Sequence, residues 1–281
     1  MFKHLLITRF NLRNSNWTTD KKNVEVLTEQ WHENRFKIFR DFCFSSVAAQ
    51  TNTNFEWLVY FDVTTPDKFK RLIAELDLEL DCFKPIFVDG MNLFVPSIKS
   101  HIASLNEPYL ITSRIDNDDC LSKHYIEEVQ KRFDAQDFMA IDFVDGYTLQ
   151  IQPEFKLGKR LDQFNPFISL IEKNDDPKSV WSIRHSHWKR ESKITQVRDI
   201  RVWASVIHAE NKINGFGGYG HVDADAFFKD FKCDPSIEAD IKAKAIPVTE
   251  WRGLSLKNIR RSYWNFYFKS FKKKIGVYKI K

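Results

Sequence analysis

Short apolar segments alternate with helical patterns through the first half of this chain, and this alternation limits the fold more than any other feature. The apolar runs have the length of buried strands, and several are rich in β-branched and aromatic side chains. They are HLLIT (4–8), EWLVYFD (56–62), PIFV (85–88), YLITS (109–113) and FMAID (138–142). Apolar residues at helical spacing lie between them, as from Leu27 to about Gln50. The pattern predicts an α/β fold with a mostly parallel, Rossmann-type sheet flanked by helices.

The residues at the ends of these strands are the candidates for chemistry, because ligands of open parallel sheets bind at the carboxyl ends of the strands. These residues are Thr8, Arg9, Asp62 and the segment 113–119. Residues 146–250 are less periodic and richer in His, Trp and Asn. We expect this second half to cover the strand ends and to receive a second substrate.

Composition excludes several classes of protein. The 281 residues include 9 glycines and no G-x-x-x-x-G-K-[ST] pattern, which argues against a P-loop ATPase. The 4 cysteines form no C-x-x-C pair, so we expect neither a disulfide framework nor a thiolate metal site, as in a reducing compartment. No apolar run is long enough for a signal segment or a membrane span, and we expect a cytoplasmic protein.

The C-terminal tail (251–281) is strongly basic. It contains ten Lys or Arg and no Asp or Glu, whereas the whole chain has a net charge of +5, so the remainder is acidic. Apolar and aromatic side chains recur at helical spacing in the tail, at Leu256, Ile259, Tyr263, Phe266, Tyr267 and Phe271. A basic, aromatic, amphipathic helix is typical of peripheral binding to an anionic membrane surface. The alternatives are a helix docked on the body and a nucleic-acid patch.

The most informative segment is the acidic turn, RIDNDD (114–119), which follows a predicted strand. Asp116 and Asp118 stand two residues apart, with Asp119 adjacent, so the three carboxylates raise one another's pKa unless a cation or hydrogen-bond donors compensate. A hard divalent cation such as Mg²⁺ uses one or two carboxylates and leaves positions for substrate phosphates. The alternative is an Asx-turn that caps a helix beginning near Ser122.

Several segments, in the same order along the chain, resemble the rhamnosyltransferase family, a bacterial group related to the GT-A glycosyltransferases. They are ITRFNLR (7–13), FCFSSVAAQTN (42–52), FEWLVYFD (55–62), LITSRIDNDD (110–119), NPFISLIE (165–172) and WASVIHAEN (203–211). The resemblance covers most of residues 1–250. It implies a GT-A fold, a nucleoside diphosphate sugar donor, and Mn²⁺ or Mg²⁺ at the D-x-D-like turn, with a glycan or lipid-linked saccharide as acceptor and no nucleic acid as partner.

The resemblance also suggests roles for particular residues. Asp116 and Asp118 would hold the metal, and His208 would be a late third ligand, with a core or hydrogen-bonding histidine as the alternative. Thr8, Arg9, Asp62, Arg114 and Asp116 would contact the donor, although Asp62 and Arg9 are equally explained as surface residues, and Arg114 as the neutraliser of Asp116. Glu172 is the first candidate for the base of an inverting transfer, with an exposed helix-end glutamate as the alternative.

The predicted organisation is a single GT-A-like domain followed by the C-terminal tail. The domain spans residues 1–250, with a nucleotide-sugar-binding half at 1–145 and an acceptor half at 146–250 that completes the metal site. One enzymatic alternative is a nucleotidyltransferase, which usually has a Gly- and Lys/Arg-rich loop after its first strand; this chain has no glycine before Gly90. The non-enzymatic alternative is a membrane- or nucleic-acid-binding module that uses the tail.

Overall fold

The computed structural model describes residues 1–16, 18–19, 25–211 and 215–278. The strands are β1 (Lys3–Arg9), β2 (Glu56–Asp62), β3 (Phe83–Val88), β4 (Tyr109–Arg114), β5 (Cys120–Leu121), β6 (Phe138–Phe143), β7 (Asp145–Gln150), β8 (Lys156–Leu161), β9 (Ser169–Lys173), β10 (Ile194–Val197) and β11 (Trp203–Ile207). The helices are α1 (Glu29–Ile38), α2 (Ser45–Ala48), α3 (Asp67–Glu79), α4 (Phe94–Ala103), α5 (Tyr125–Gln130), α6 (Ala224–Asp230), α7 (Pro235–Lys244) and α8 (Arg252–Lys274). A π-helical segment, Phe39–Phe44, joins α1 to α2.

The larger sheet has the strand order β10-β6-β9-β4-β1-β2-β3 within the described residues. The pairs β1–β2, β1–β4, β2–β3 and β6–β10 are parallel, and β9 is antiparallel to both of its neighbours. The fold class predicted from the sequence, a mostly parallel sheet flanked by helices, is therefore confirmed. The second half of the chain does more than cover the strand ends, because it contributes β9 and β10 to this sheet.

A smaller sheet, with the order β5-β11-β7-β8 in the described part of the chain, continues from the acidic turn. Its short strand β5 begins immediately after Asp119 and pairs with β11, where Cys120 faces Ala204. The strand β11 also pairs in parallel with β7, so Ala204 lies between Cys120 and Tyr147. One face of this sheet packs on α6 and α7 through Phe227, Phe228 and Ile241.

Aromatic side chains fill the space between the larger sheet and the helices that precede β2. Phe10, Phe39, Trp57, Phe61 and Phe83 are buried and lie in a single apolar cluster. Each buried aromatic side chain contributes about 2–3 kcal/mol relative to an exposed one, so this cluster stabilises the sheet and holds the carboxyl ends of β1 and β2 in place.

The C-terminal helix α8 is docked on the body along one side. Its buried Asn258 donates to the carbonyl of Gly218 at 2.9 Å, and Gln163 donates to Phe266 O and Ser270 Oγ at 3.0 and 2.8 Å. Ile259 and Phe266 pack against a small core of Val144, Leu161 and Tyr219. Tyr263 also packs on Tyr219, so three of the six apolar residues singled out in the tail contact the body, as in the alternative of a docked helix.

The opposite side of α8 remains exposed and aromatic. Trp264 is 71% exposed, Tyr267 65% and Phe271 58%. No helix among the residues that the structure describes combines the length and the apolarity needed to cross a bilayer.

The packing of β7 against β11 leaves no space for a side chain at Gly146. A Cβ atom there would lie 2.3 Å from the indole ring of Trp203. That ring cannot move freely, because its Nε1 donates to Phe143 O at 2.6 Å and it stacks on Phe167 with ring centres 4.8 Å apart.

Gly146→Ala should therefore lower the free energy of unfolding by about 1–3 kcal/mol through overpacking. Gly253→Ala is the matched control, because a Cβ atom at Gly253 meets nothing within 4 Å. In α8 the added methyl group should be neutral or stabilising by about 0.5 kcal/mol. Denaturant unfolding monitored by fluorescence measures both, and equal stability of the two variants would contradict the described packing.

Candidate active site

The carboxyl ends of β1, β2 and β4 meet at one edge of the larger sheet. The strands are parallel and in register, with Arg9 beside Tyr60 and Arg114 beside Ile7. The acidic turn begins directly after β4 and is tied to the end of β1, because Asn117 Nδ2 donates to Phe10 O at 2.8 Å. Two of the strand-end candidates, Arg9 and Arg114, therefore lie beside the acidic turn.

Asp118 is the most heavily bonded carboxylate of the turn. Its Oδ2 lies 2.8 Å from Arg35 Nη1, 3.0 Å from His208 Nε2 and 3.1 Å from Asn211 Nδ2. Burial acts to raise its pKa, but the hydrogen bond from His208 and the charge of Arg35 outweigh burial and hold the pKa of Asp118 well below its usual range. The carboxylate is therefore ionised at neutral pH.

Asp119 has the opposite electrostatic character. Burial first, and then the charges of Asp118 and Asp116, raise the pKa of Asp119 well above its usual range. Its Oδ1 accepts the backbone N–H of Val206 at 2.9 Å, which fastens the end of β11 to the acidic turn. This contact explains why His208, two residues after Val206, reaches Asp118.

Two arginines and a tryptophan lie beside the acidic turn. The Arg114 guanidinium lies 3.8 Å from the ring centre of Trp181 and 3.5 Å from Asp116 Oδ1. Arg9 lies 5.8 Å from the same ring. Burial lowers the pKa of both arginines and the charge of Asp116 acts to raise it, without removing their positive charge at neutral pH. Trp181 itself is buried, so it is this pair of cations that suits the edge to an anionic ligand.

Glu172 is not part of this arrangement. It lies on β9 opposite Leu110, at the amino end of β4, and six residues of extended chain place it roughly 20 Å from Asp116. Its carboxylate accepts the backbone N–H groups of Lys178 and Ser179, both at 2.8 Å. Burial raises the pKa of Glu172, and these hydrogen bonds oppose that shift. The expectation of a catalytic base at Glu172 is wrong, because the antiparallel direction of β9 carries it to the opposite edge of the sheet.

The hydrogen bonds of Glu172 hold the turn that leads to Trp181. Asp176 and Ser179 have positive φ values of 54° and 66°, a conformation that costs about 1 kcal/mol or more for such residues. Val180 N–H then donates to Thr112 Oγ1 at 2.8 Å, one residue before Trp181. Glu172 therefore positions the tryptophan that stacks on Arg114.

Two other strand-end residues are occupied by the chain itself. Asp62 is 1% exposed and accepts hydrogen bonds from Arg13 N and Nε and from Thr64 N and Oγ1. Burial alone would raise its pKa, but these bonds outweigh burial and lower the pKa. Thr8 is fully buried, and its Oγ1 accepts from Trp57 Nε1 at 2.9 Å. Both residues shape the loops and the core beneath the edge of the sheet.

Asp118 and His208 offer a carboxylate oxygen and an imidazole nitrogen, two atom types that bind divalent cations in proteins. Asp118 Oδ2 and His208 Nε2 are 3.0 Å apart, the distance of the hydrogen bond between them, and a cation would have to replace the proton of that bond. No group of three His, Cys, Asp or Glu side chains is arranged as a metal site in the described ranges, and Asp116 pairs with Arg114 instead.

Sequence reasoning missed Arg35, Trp181 and Asn211. A signal for Arg35 was present, because it lies four residues after Trp31 and four before Phe39, on the apolar side of the predicted helix. Asn211 follows His208 by three residues, but no pattern in the sequence distinguishes it from other asparagines. Trp181 lies in an irregular segment between β9 and β10, where spacing predicts nothing.

The structure is an α/β fold in which charged residues are gathered at the carboxyl ends of the parallel strands. Residues 2–216 match the family described as "Putative rhamnosyl transferase", and the chain belongs to this family. No curated protein matches the chain. The membership confirms the family expected from the sequence.

Among solved structures, the chain is similar to S. aureus TarS 1–349, with 13% identity, a TM-score of 0.41, and coverage of 73% of this chain and 60% of that one. The complex of TarS 1–349 with UDP gives 12% identity and a TM-score of 0.41, covering 86% of this chain and 70% of that one. The 4-diphosphocytidyl-2C-methyl-D-erythritol synthase from Anaerococcus prevotii gives 8% identity and a TM-score of 0.37, with coverage of 86% and 95%. The chain thus spans less than two thirds of the first of these proteins.

The ion pair between Arg35 and Asp118 should be energetically important, because both side chains are largely buried, with exposures of 9% and 15%. Arg35→Met leaves Asp118 without its arginine partner and should lower the free energy of unfolding by about 3 kcal/mol. The double variant Arg35→Met, Asp118→Asn should recover a large part of this loss, since no unpaired charge remains. Denaturant unfolding of both single variants and the double variant measures the coupling, and strictly additive effects would contradict a direct pair.

Proposed function

We propose that this chain is a glycosyltransferase that moves a sugar, rhamnose by the description of its family, from a nucleoside diphosphate donor to a surface glycan or a lipid-linked saccharide. The observation that carries the proposal is the placement of Asp118 and His208, 3.0 Å apart, at the carboxyl edge of the sheet. Family membership over residues 2–216 supports the reaction class. The TarS structure with bound UDP illustrates a nucleotide ligand in a similar protein.

Asp118 and His208 would hold Mn²⁺ or Mg²⁺, and Asp116 would join them from the same turn by exchanging its pairing with Arg114 for the cation. Such a cation supplies positive charge that stabilises a diphosphate leaving group. The protein's own part is to keep Asp118 ionised through Arg35. His208 Nδ1 accepts the backbone N–H of Glu210 at 3.3 Å, so the Nε2 atom carries the proton that it donates to Asp118, and a cation bound by Nε2 would have to displace that proton.

The donor would lie against Arg9, Arg114 and Trp181. Arg114 Nε is buried and has no hydrogen-bond partner in the described part of the chain, so it retains a donor for a ligand. A diphosphate satisfies such a donor and is held by two cations, while the buried Trp181 supports the Arg114 guanidinium from beneath. We propose only an indirect role for Asp62, which fixes the loop that contains Arg13.

A nucleotidyltransferase is the second enzymatic candidate, and the loop after β1 argues against it. Such enzymes wrap phosphates with the backbone of a glycine-rich loop, whereas residues 10–13 are held by side-chain bonds. Asn11 Nδ2 donates to Thr65 Oγ1 at 2.9 Å, and Arg13 pairs with Asp62. This closed loop has little freedom to surround a triphosphate.

Donor binding should depend on Asp118. In wild-type protein, Mn²⁺ with a saturating nucleoside diphosphate should raise the melting temperature, by the equivalent of about 2.7 kcal/mol at a hundred times the Kd. Asp118→Asn should fold but lose this metal-dependent increase, because its amide cannot replace the carboxylate as a ligand. Asp67→Asn, which changes a carboxylate 90% exposed at the start of α3, is the control and should behave as wild type. A panel of nucleoside diphosphates, each with and without Mn²⁺, identifies the base, and unchanged behaviour of Asp118→Asn would remove the proposed metal site.

We further propose that α8 binds peripherally to the anionic inner face of the cell membrane. Its exposed side carries Trp264, Tyr267, Phe268 and Phe271, and Lys257, Arg260 and Lys274 supply exposed positive charge. Aromatic side chains with flanking cations bind at the level of lipid headgroups, where each Lys or Arg contributes about 1 kcal/mol at low salt. A lipid-linked acceptor would be met at the same surface.

Substitution tests this surface better than deletion of α8, because deletion would expose Val144, Leu161 and Tyr219. The triple variant Trp264→Ser, Tyr267→Ser, Phe271→Ser should fold and lose most co-sedimentation with vesicles that contain phosphatidylserine. Leu78→Ser, at a residue 88% exposed on α3, controls for the loss of exposed apolar surface. Wild-type binding should weaken at high salt and be absent for phosphatidylcholine vesicles. Equal sedimentation of the triple variant and the control would place any membrane contact elsewhere.

A further inference from the structure

A cavity of about 460 Å³ lies between α8, the end of β8 and the glycine-rich segment 215–217. Its wall includes Arg160, Gln163, Phe216, Arg261, Asn265 and Lys269. The cavity is separate from the charged residues of the candidate active site, and the proposed function does not use it. Its volume is sufficient for a small saccharide unit.

The charge on the cavity wall is positive. Arg160, Arg261 and Lys269 are opposed by a single carboxylate, Asp162, which pairs with Arg160 at 3.2 Å and with Lys269 at 3.3 Å. Arg261 has no ion pair within the described residues and remains exposed. A ligand with a carboxylate or phosphate group would balance this excess charge.

A buried acceptor also lines the cavity. Gln163 is 2% exposed, and its Nε2 donates to Phe266 O and Ser270 Oγ on α8. Its Oε1 atom has no hydrogen-bond partner in the part of the chain that the structure describes. An unpaired buried oxygen costs about 1–3 kcal/mol, and a ligand hydroxyl could donate to it.

The remaining lining has the character of a sugar-binding surface. Phe216 and Phe266 provide apolar ring faces, while Asn265 and Ser262 offer neutral hydrogen-bonding groups. Sugars present hydroxyl groups around an apolar ring face, so this combination suits them better than a purely apolar ligand.

The cavity is close enough to the acidic turn to serve the same reaction. Cys120, Ala204, Tyr147 and Lys159 stand opposite one another across four neighbouring strands, and Arg160 follows Lys159. Three strand spacings of about 4.8 Å place the backbone of Arg160 roughly 14 Å from the end of the acidic turn, and its side chain can span part of that distance.

We propose that this cavity binds the acceptor of the glycosyl transfer, and that the acceptor is an anionic saccharide bearing a carboxylate or a phosphate group. That the bound saccharide is the acceptor rests on the proposed function. That an anionic saccharide binds in the cavity is inferred from the charge and the lining of the cavity alone.

The test measures equilibrium binding by ligand-observed NMR, with no transfer reaction. The probes are a glucuronate-containing disaccharide, a disaccharide phosphate and the corresponding neutral disaccharide, each with UDP and Mn²⁺ present to occupy the donor site. Arg261→Ala removes the unpaired cation of the cavity and should weaken binding of the preferred anionic probe about tenfold, the loss of one charge-assisted hydrogen bond. Arg260→Ala is the matched control, because Arg260 is the neighbouring exposed arginine of α8 and does not line the cavity.

The proposal is supported if an anionic probe binds more tightly than the neutral one and Arg261→Ala weakens it while Arg260→Ala does not. Which anionic probe binds more tightly distinguishes a carboxylate from a phosphate. Equal effects of the two substitutions, equal binding of the neutral probe, or no saturable binding at millimolar concentration would overturn it. Donor binding is measured on the same proteins, so its failure would count against the proposed function and not against the cavity.

Discussion

The crowding of three carboxylates at the edge of the sheet is the constraint on which the rest of the site depends. Asp119 is buried, and Asp118 and Asp116 are partly buried beside it, so the group is stable only with cations and donors around it. The structure supplies Arg114 to Asp116, and Arg35 and His208 to Asp118. These partners come from β4, α1 and the end of β11, so charge compensation ties three distant parts of the sequence to one turn.

A second set of contacts shows how the structure supports this edge from a distance. Glu172 holds the turn in which Ser179 has a positive φ, and that turn delivers Trp181 to Arg114. The local strain is tolerated because two backbone N–H groups bond to one buried carboxylate. A glutamate that resembles a catalytic residue in sequence therefore has a positioning role in the fold.

The helix α8 has two different sides, and each is proposed to contact a different part of the acceptor. One side, with Asn258, Ser262, Asn265 and Lys269, closes a polar cavity against the body, and the opposite side carries exposed aromatic residues. Residues three, four and seven apart share a helical face, so a single helix can line an acceptor site and rest on a lipid surface. A lipid-linked acceptor would have its saccharide and its anchor on opposite sides of α8.

The sequence by itself determined the strands of the first half, the class of sheet, the family and the acidic turn, because these depend on local periodicity and on short ordered motifs. It also indicated His208. Only the tertiary structure decided that Arg35 and Asn211 reach Asp118, that Glu172 lies at the far edge, and that α8 packs on β8. The physical reason is that these outcomes depend on the direction of β9 and on contacts between residues far apart in the sequence. An antiparallel strand reverses which end of its segment lies at the site. Local patterns carry no information about that direction.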